Sequence, residues 1–180
     1  MVDHTKRIKY TMNINFGCGS IQPVDWINID FDPEYKTEHK NLHLIPDNSC
    51  DILVSHATIC AIPYHEIKAA LLEFNRVLKP GGVVRISLPD IVSGFDAYKN
   101  NNINFFPNSE DNLDRRFSSW LTWYSTSVSL LTHKALEYKL HDSGFKNITK
   151  VNYKESALSN NKIYELDTRE HEFYFMEAMK

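Results

Sequence analysis

The sequence predicts one α/β domain built around a largely parallel sheet. Three observations carry this: short apolar runs of strand length, helical spacing between some of them, and turns rich in Gly, Asp or Pro at their ends. Tyr10 to Phe16 alternates Met12, Ile14 and Phe16 with Thr11, Asn13 and Asn15, then stops at Gly17-Cys18-Gly19-Ser20, the pattern of a strand ending in a glycine turn. Trp26 to Asp30 is a second short strand that ends on an acid. Ile52-Leu53-Val54 forms the middle of a third, after the turn residues Pro46-Asp47-Asn48-Ser49.

From Tyr64 to Leu78 the period becomes helical, with Ile67, Leu71, Phe74 and Leu78 on one face, and Lys79-Pro80-Gly81-Gly82 stops it. Val83 to Leu88 is the next strand, closed by Pro89-Asp90. Residues 93–112 are rich in asparagine with no sustained period and read as a long loop or lid. Leu113, Phe117, Trp120 and Tyr124 mark a helix starting near Ser109, and a further helix is expected from Thr132 to Ser143, with Leu136 and Leu140 inward. Asn147–Tyr153 and Glu170–Met179 complete the strands. No repeat or linker divides the chain, so 1–180 reads as one domain.

Composition agrees. The 180 residues are 42% apolar and 24% charged, enough for a core without disulfide or metal staples. A net charge of −3 without a basic stripe argues against nucleic acid or an anionic membrane as partner. Cys18, Cys50 and Cys60 lack the spacing of a disulfide framework or zinc site, and the histidines lack ligand spacing, so no metal is expected. No leader or spanning segment is apparent in the sequence, and a cytoplasmic protein is the expectation.

The chemistry concentrates at strand ends. In open parallel sheets ligands sit beyond the carboxyl ends of the strands, where glycines let the backbone approach closely. Asp30, ending the second strand, is placed to accept both hydroxyls of a ribose. A dinucleotide would also need a third glycine and a helix N-terminus beneath its pyrophosphate. Gln22 stands at the third-glycine position, and only ten residues separate Gly19 from Asp30. A nucleoside cofactor without phosphate, S-adenosylmethionine, is therefore favoured over NAD.

The ordered set Asn13-Ile-Asn-Phe-Gly-Cys-Gly19, Trp26-Ile-Asn-Ile-Asp30, Ile45-Pro-Asp-Asn-Ser-Cys-Asp51, Ser55-His56, Glu73-Phe-Asn-Arg-Val-Leu-Lys-Pro-Gly-Gly82, Arg85-Ile-Ser-Leu-Pro-Asp90 and Ser143-Gly-Phe145 resembles the class I S-adenosylmethionine-dependent methyltransferases. Within them it is most similar to the small type 11-like branch often associated with methylation of sugars and glycans. The resemblance implies a Rossmann-like fold: a mostly parallel sheet of about seven strands flanked by helices, with the last strand antiparallel. It implies a donor-binding half over 1–92, a variable acceptor-side lid or helix over 93–131, and a C-terminal helix and strands over 132–180.

Carried over by position, Asn15, Phe16, Gly17, Cys18 and Gly19 lie along the methionine portion of the cofactor, and Asp30 and Phe31 meet the ribose side. Asn41 and Leu42 face the adenine, and Ser55 and His56 border the methyl-transfer centre. Asn15 and Asn41 stand where many members carry acids, and Ile59-Cys60 where the branch commonly has Glu-His.

The implied activity is methylation of a small molecule or glycan, most simply at oxygen, where a base helps. His56, Asp90 and His133 are the candidates for that base. A non-catalytic binding module on the same fold, suggested by the replaced acids, and a nucleotide-binding oxidoreductase are the alternatives. Eight aromatics between Phe95 and Tyr124 either wall an acceptor pocket or form a helix core. Phe117, Trp120 and Tyr124 are expected in the core, with Tyr98, Phe105, Phe106 and Trp123 at a pocket or interface. The sequence leaves monomer and homodimer both open.

Overall fold

In the computed structural model, residues 11–30, 42–159 and 163–180 are described. They contain a six-stranded sheet in the order β2-β1-β3-β4-β6-β5, against the about seven strands expected. Strands β1 (Asn13–Phe16), β2 (Ile27–Ile29), β3 (Cys50–His56) and β4 (Leu78–Pro89) run parallel. The last strand, β6 (Phe173–Met179), lies antiparallel between β4 and β5 (Lys146–Val151). The β5–β6 register shifts between Lys146 and Thr149, where Asn147 adopts φ 49°.

Among the described residues four α-helices join these strands: α1 (Ile67–Val77), α2 (Ile91–Lys99), α3 (Leu113–Leu121) and α4 (His133–Asp142). Helices α1 and α4 cover one face of the sheet. Their inward residues Leu71, Phe74, Leu136 and Leu140 are fully buried with Ile14, Phe16, Leu53, Val84 and Ile86, as the helical spacing predicts. Thr132 caps α4 by accepting from the Ala135 N–H at 3.2 Å.

The opposite face has no such helical cover among the described residues. Alternation along the strands puts Asn15, Val54, His56, Arg85, Ser87 and Glu177 there. Residues 152–159 and a 3-10 turn at Ile163–Leu166 lie over it, and Trp26 joins the small apolar cluster of Ile52, Val54, Val83, Ile163 and Leu166. Buried Arg85 holds this cover down. It donates to Asp167 at 2.9 and 2.5 Å, to Glu177 at 2.7 Å and to the Glu155 carbonyl at 2.9 Å. Asp167 also accepts from the Lys154 N–H, and Glu177 from the Ala157 and Leu158 N–H groups. Every charge in the triad is thus paired and further hydrogen-bonded, the condition under which buried ions are tolerated.

The structure corrects the expected loop at 93–112, because its first part belongs to α2. The helix shows no apolar period because its buried side consists of Gly94 and Ala97. A Cβ at Gly94 would overlap the ring of Trp120, so the glycine lets α3 approach. Helix α3 starts at Leu113 rather than near Ser109, with Asn112 accepting from the Arg115 N–H at 3.0 Å. Tyr124 lies beyond its end, in a turn where Trp123, Tyr124 and Ser125 have φ of 44°, 55° and 73°. Between α2 and α3, Phe106 and Trp120 are fully buried, so Phe106 is a core residue and not the pocket residue expected. Tyr98 stacks on Phe117 with ring centroids 4.4 Å apart, and Tyr98, Phe105 and Trp123 are partly buried in the same cluster.

Candidate active site

The carboxyl ends of β1, β2, β3 and β4 open on the same edge of the sheet, presenting Gly17, Asp30, Ala57 and Asp90. Strand order reverses beside β1, the switch point at which open α/β sheets bind ligands. Gly17 has φ 74°, and its N–H and that of Cys18 both donate to the Ile29 carbonyl, at 2.7 and 3.1 Å. The turn therefore packs directly beside the end of β2, and Asp30 follows it, exposed.

Gly17 is required by packing. Thr58, buried just after β3, lies where a Cβ would project, and its hydroxyl donates to the carbonyls of Phe16 and His56 at 3.2 and 3.0 Å. Gly19, with φ 50°, faces open space.

The crossover from Gly17 to Trp26 contains no helix. Two asparagines hold it instead. Asn15 donates to the Ile21 carbonyl at 2.7 Å and to Asn28 Oδ1 at 3.1 Å, while Asn28 donates to the carbonyls of Pro23 and Trp26. These are neighbours in the β1–β2 register. The amide at position 15 thus has a physical reason, because a carboxylate there could donate to nothing. Gln22 likewise folds back to the Gly19 carbonyl at 2.9 Å.

The remaining candidates are not brought to one point. Leu42 is fully enclosed in the main core, under a clamp in which Arg76 donates to the Leu42 carbonyl at 2.7 Å and pairs with Glu73 and Asp47. Ser55 is fully buried, and its hydroxyl has no partner among the described residues. His56 lies at the end of β3 with Nδ1 bonded to the Ser87 hydroxyl and Nε2 to that of Thr168 at 2.6 Å. Burial, then the charges of Arg169 and Arg85, lower its pKa to about 4.

Asp90 caps α2, accepting from the Ser93 N–H at 3.2 Å, with Lys150 3.8 Å away. His133 begins α4 on the helix-covered face, 6.2 Å from the Tyr174 ring, whereas His56 packs on Phe173 from the other face. Phe31 and Asn41 lie outside the described residues. Cys18, Cys50 and Cys60 are buried free thiols, and burial raises the pKa of each, that of Cys50 to about 12. No helix of the described residues is long and apolar enough to cross a membrane.

Residues 14–86 match a family model described as a methyltransferase domain. A methyltransferase from Archaeoglobus fulgidus superposes with a TM-score of 0.61 at 14% identity, over 96% of this chain and 87% of that one. This chain has the methyltransferase fold. A Thermotoga maritima methyltransferase, described as a possible histamine N-methyltransferase, gives 0.58 at 17% identity over 94% and 82% of the two chains. The phosphoethanolamine N-methyltransferase 2 of Haemonchus contortus, in complex with S-adenosyl-L-methionine, gives 0.53 at 14% over 94% and 48%. No curated protein matches the sequence.

The methyltransferase fold here holds two further sets of residues, one under the irregular cover and one at the end of β4. The Arg85 triad lacked a local signal, because its partners lie 82 and 92 residues away. Glu172 precedes β6 and gives no motif, yet its carbonyl accepts the Asp90 N–H at 2.7 Å.

Proposed function

We propose that this chain is an S-adenosylmethionine-dependent methyltransferase acting on a small molecule or glycan, with transfer to oxygen. The observation that carries the reading is the packing of the Gly17–Gly19 turn directly beside Asp30 at the switch point of a methyltransferase-type sheet. In this reading Asp30 holds the ribose hydroxyls and the open backbone at Gly19 passes beneath the methionine portion. Phe31 and Asn41 serve the ribose and adenine side. Residues 93–131, which include α3 and all of α2 but its first two residues, form the acceptor side. The bound cofactor supplies an activated methyl group, and the protein aligns the acceptor for displacement. A pyrophosphate has no helix N-terminus between β1 and β2 to rest on, which argues against a dinucleotide.

Calorimetric titration with S-adenosylmethionine, S-adenosylhomocysteine and NAD tests this. Binding of the first two and not the third is expected, and Asp30→Ala should weaken it by about tenfold or more. Failure of both sulfur ligands to bind at millimolar concentration would sink the reading. A non-catalytic module is the second reading, favoured by the engagement of the Asn15 amide nitrogen and of both His56 nitrogens; it predicts donor binding without turnover on any hydroxyl acceptor.

A further inference from the structure

Residues 122–127, Thr-Trp-Tyr-Ser-Thr-Ser, lead from the end of α3 toward α4. Trp123, Tyr124 and Ser125 take φ of 44°, 55° and 73° in succession, with neither glycine nor asparagine among them. Each such position carries a steric cost, because Cβ crowds the following carbonyl oxygen, and it persists only where the surroundings hold it. Within the turn, the N–H of Tyr124 donates to the Ser119 carbonyl at 2.9 Å, that of Thr126 to the Trp123 carbonyl at 3.1 Å and that of Ser127 to the Thr122 carbonyl at 2.9 Å. Outside it, the Trp123 ring lies edge-on 4.8 Å from Phe173 and 5.3 Å from the Arg169 guanidinium. Phe173 begins β6 opposite Pro89 at the end of β4, and it packs on His56 at the end of β3. Both flanks of the turn are fixed. Trp120 is fully buried on one side, while on the other the Val128 and Ser129 N–H groups donate to the Cys60 carbonyl and the Ser129 hydroxyl to that of Ile62 at 2.6 Å.

Two opposed terms meet in this short segment. The ring contacts of Trp123 hold it down, and the left-handed backbone behind that ring favours release. We propose that residues 122–127 are a strap that opens by itself, lifting Trp123 off Phe173 and uncovering the carboxyl ends of β3 and β4. Opening leaves the sheet intact, because the hydrogen bonds of the turn lie within residues 119–127 and none belongs to a strand ladder. Ser125 and Thr126 are already exposed, so water takes over the freed backbone groups at little cost. The closed turn and the open strap are thus two arrangements of one native fold, and a small change in either term moves the balance. The movement is independent of the methyltransferase reading above, whereas its use as the way in for an acceptor rests on that reading.

The test is amide hydrogen exchange of the full chain without any ligand, followed residue by residue by NMR. The N–H groups of Tyr124, Thr126 and Ser127 should exchange about a hundredfold faster than those of Leu53 and Val84 in the sheet. The exposed Ser125 carries the decisive pair of variants. Ser125→Val places a β-branched residue in the left-handed region and should speed exchange of the three strap amides about tenfold, whereas Ser125→Asn suits that region and should slow it about threefold. Trp123→Ala should also speed the strap amides about tenfold, together with the Phe173 N–H, which donates to the Arg169 carbonyl at 3.2 Å. Trp123→Phe keeps a ring on Phe173 and should retain most of the protection. Leu53 and Val84 should change far less in all four variants. The proposal is overturned if the strap amides exchange only together with Leu53 and Val84, or if the valine and asparagine variants shift the strap in the same direction. If S-adenosylhomocysteine fails to bind in the calorimetric titration while these amides behave as expected, the donor reading falls and the strap stands.

Discussion

The two faces of the sheet are built on different physics. The face under α1 and α4 is a continuous apolar core, from Ile14 and Phe16 across to Tyr174 and Met176, whose stabilisation is spread over many non-directional contacts. The opposite face carries only a small apolar cluster and is covered by irregular chain, pinned by Arg85, by His56 between two hydroxyls, and by the amides of Asn15 and Asn28. Hydrophobic burial tolerates substitution of similar volume. A hydrogen-bonded network instead fails at the atom removed, because the partner left behind is buried and unpaired.

The largest effect is expected at Arg85. Arg85→Ala strands Asp167 and Glu177 and should cost about 3–5 kcal/mol, read as a fall in the urea midpoint. Simple buried ion pairs are often replaced by apolar residues without loss. Here, replacing all three charges should still destabilise, because the two carboxylates also hold the N–H groups of Lys154, Ala157 and Leu158. A triple apolar variant as stable as the natural chain would erase the distinction between the faces.

His56 is next. Its folded pKa of about 4 lies below the ordinary value of 6.5, so between those pH values the unfolded chain binds the proton and the native chain does not. Stability should therefore be level above pH 6.5 and fall by about 2–3 kcal/mol in total as pH drops to 4. His56→Gln should flatten that part of the curve, measured as urea midpoints across the range. The smallest effect is at Asn15. Asn15→Asp removes the donors to Ile21 and Asn28 and should cost about 1–2 kcal/mol, with faster hydrogen exchange confined to residues 17–26. Unchanged exchange there would show that the amides do not hold the crossover.

This contrast also explains what could be read in the sequence. Leu71, Phe74, Leu136 and Leu140 announce their helices because apolar spacing is a local signal, and Gly17-Cys18-Gly19 with Asp30 announces the strand ends for the same reason. Helix α2 escaped because its inward residues are Gly94 and Ala97, which leave no apolar stripe. Asn15 reads in the sequence as a missing acid, since its role as a donor to Ile21 becomes visible only once the crossover is seen to lack a helix. Arg85 looks like a solvated charge until the chain closes, because its partners Asp167 and Glu177 are distant in sequence.

The register shift in β5 bears on how copies of the chain can meet. Among the described residues β5 is an outer strand, with exposed Lys146 and Lys150 and with Asn147 turned left-handed inside the shift. Such a rim offers an irregular ladder and like charges to any second strand laid along it. Extension of the sheet into a second molecule along this strand is therefore disfavoured, in the way that bulges and lysines blunt the edges of natural sheets.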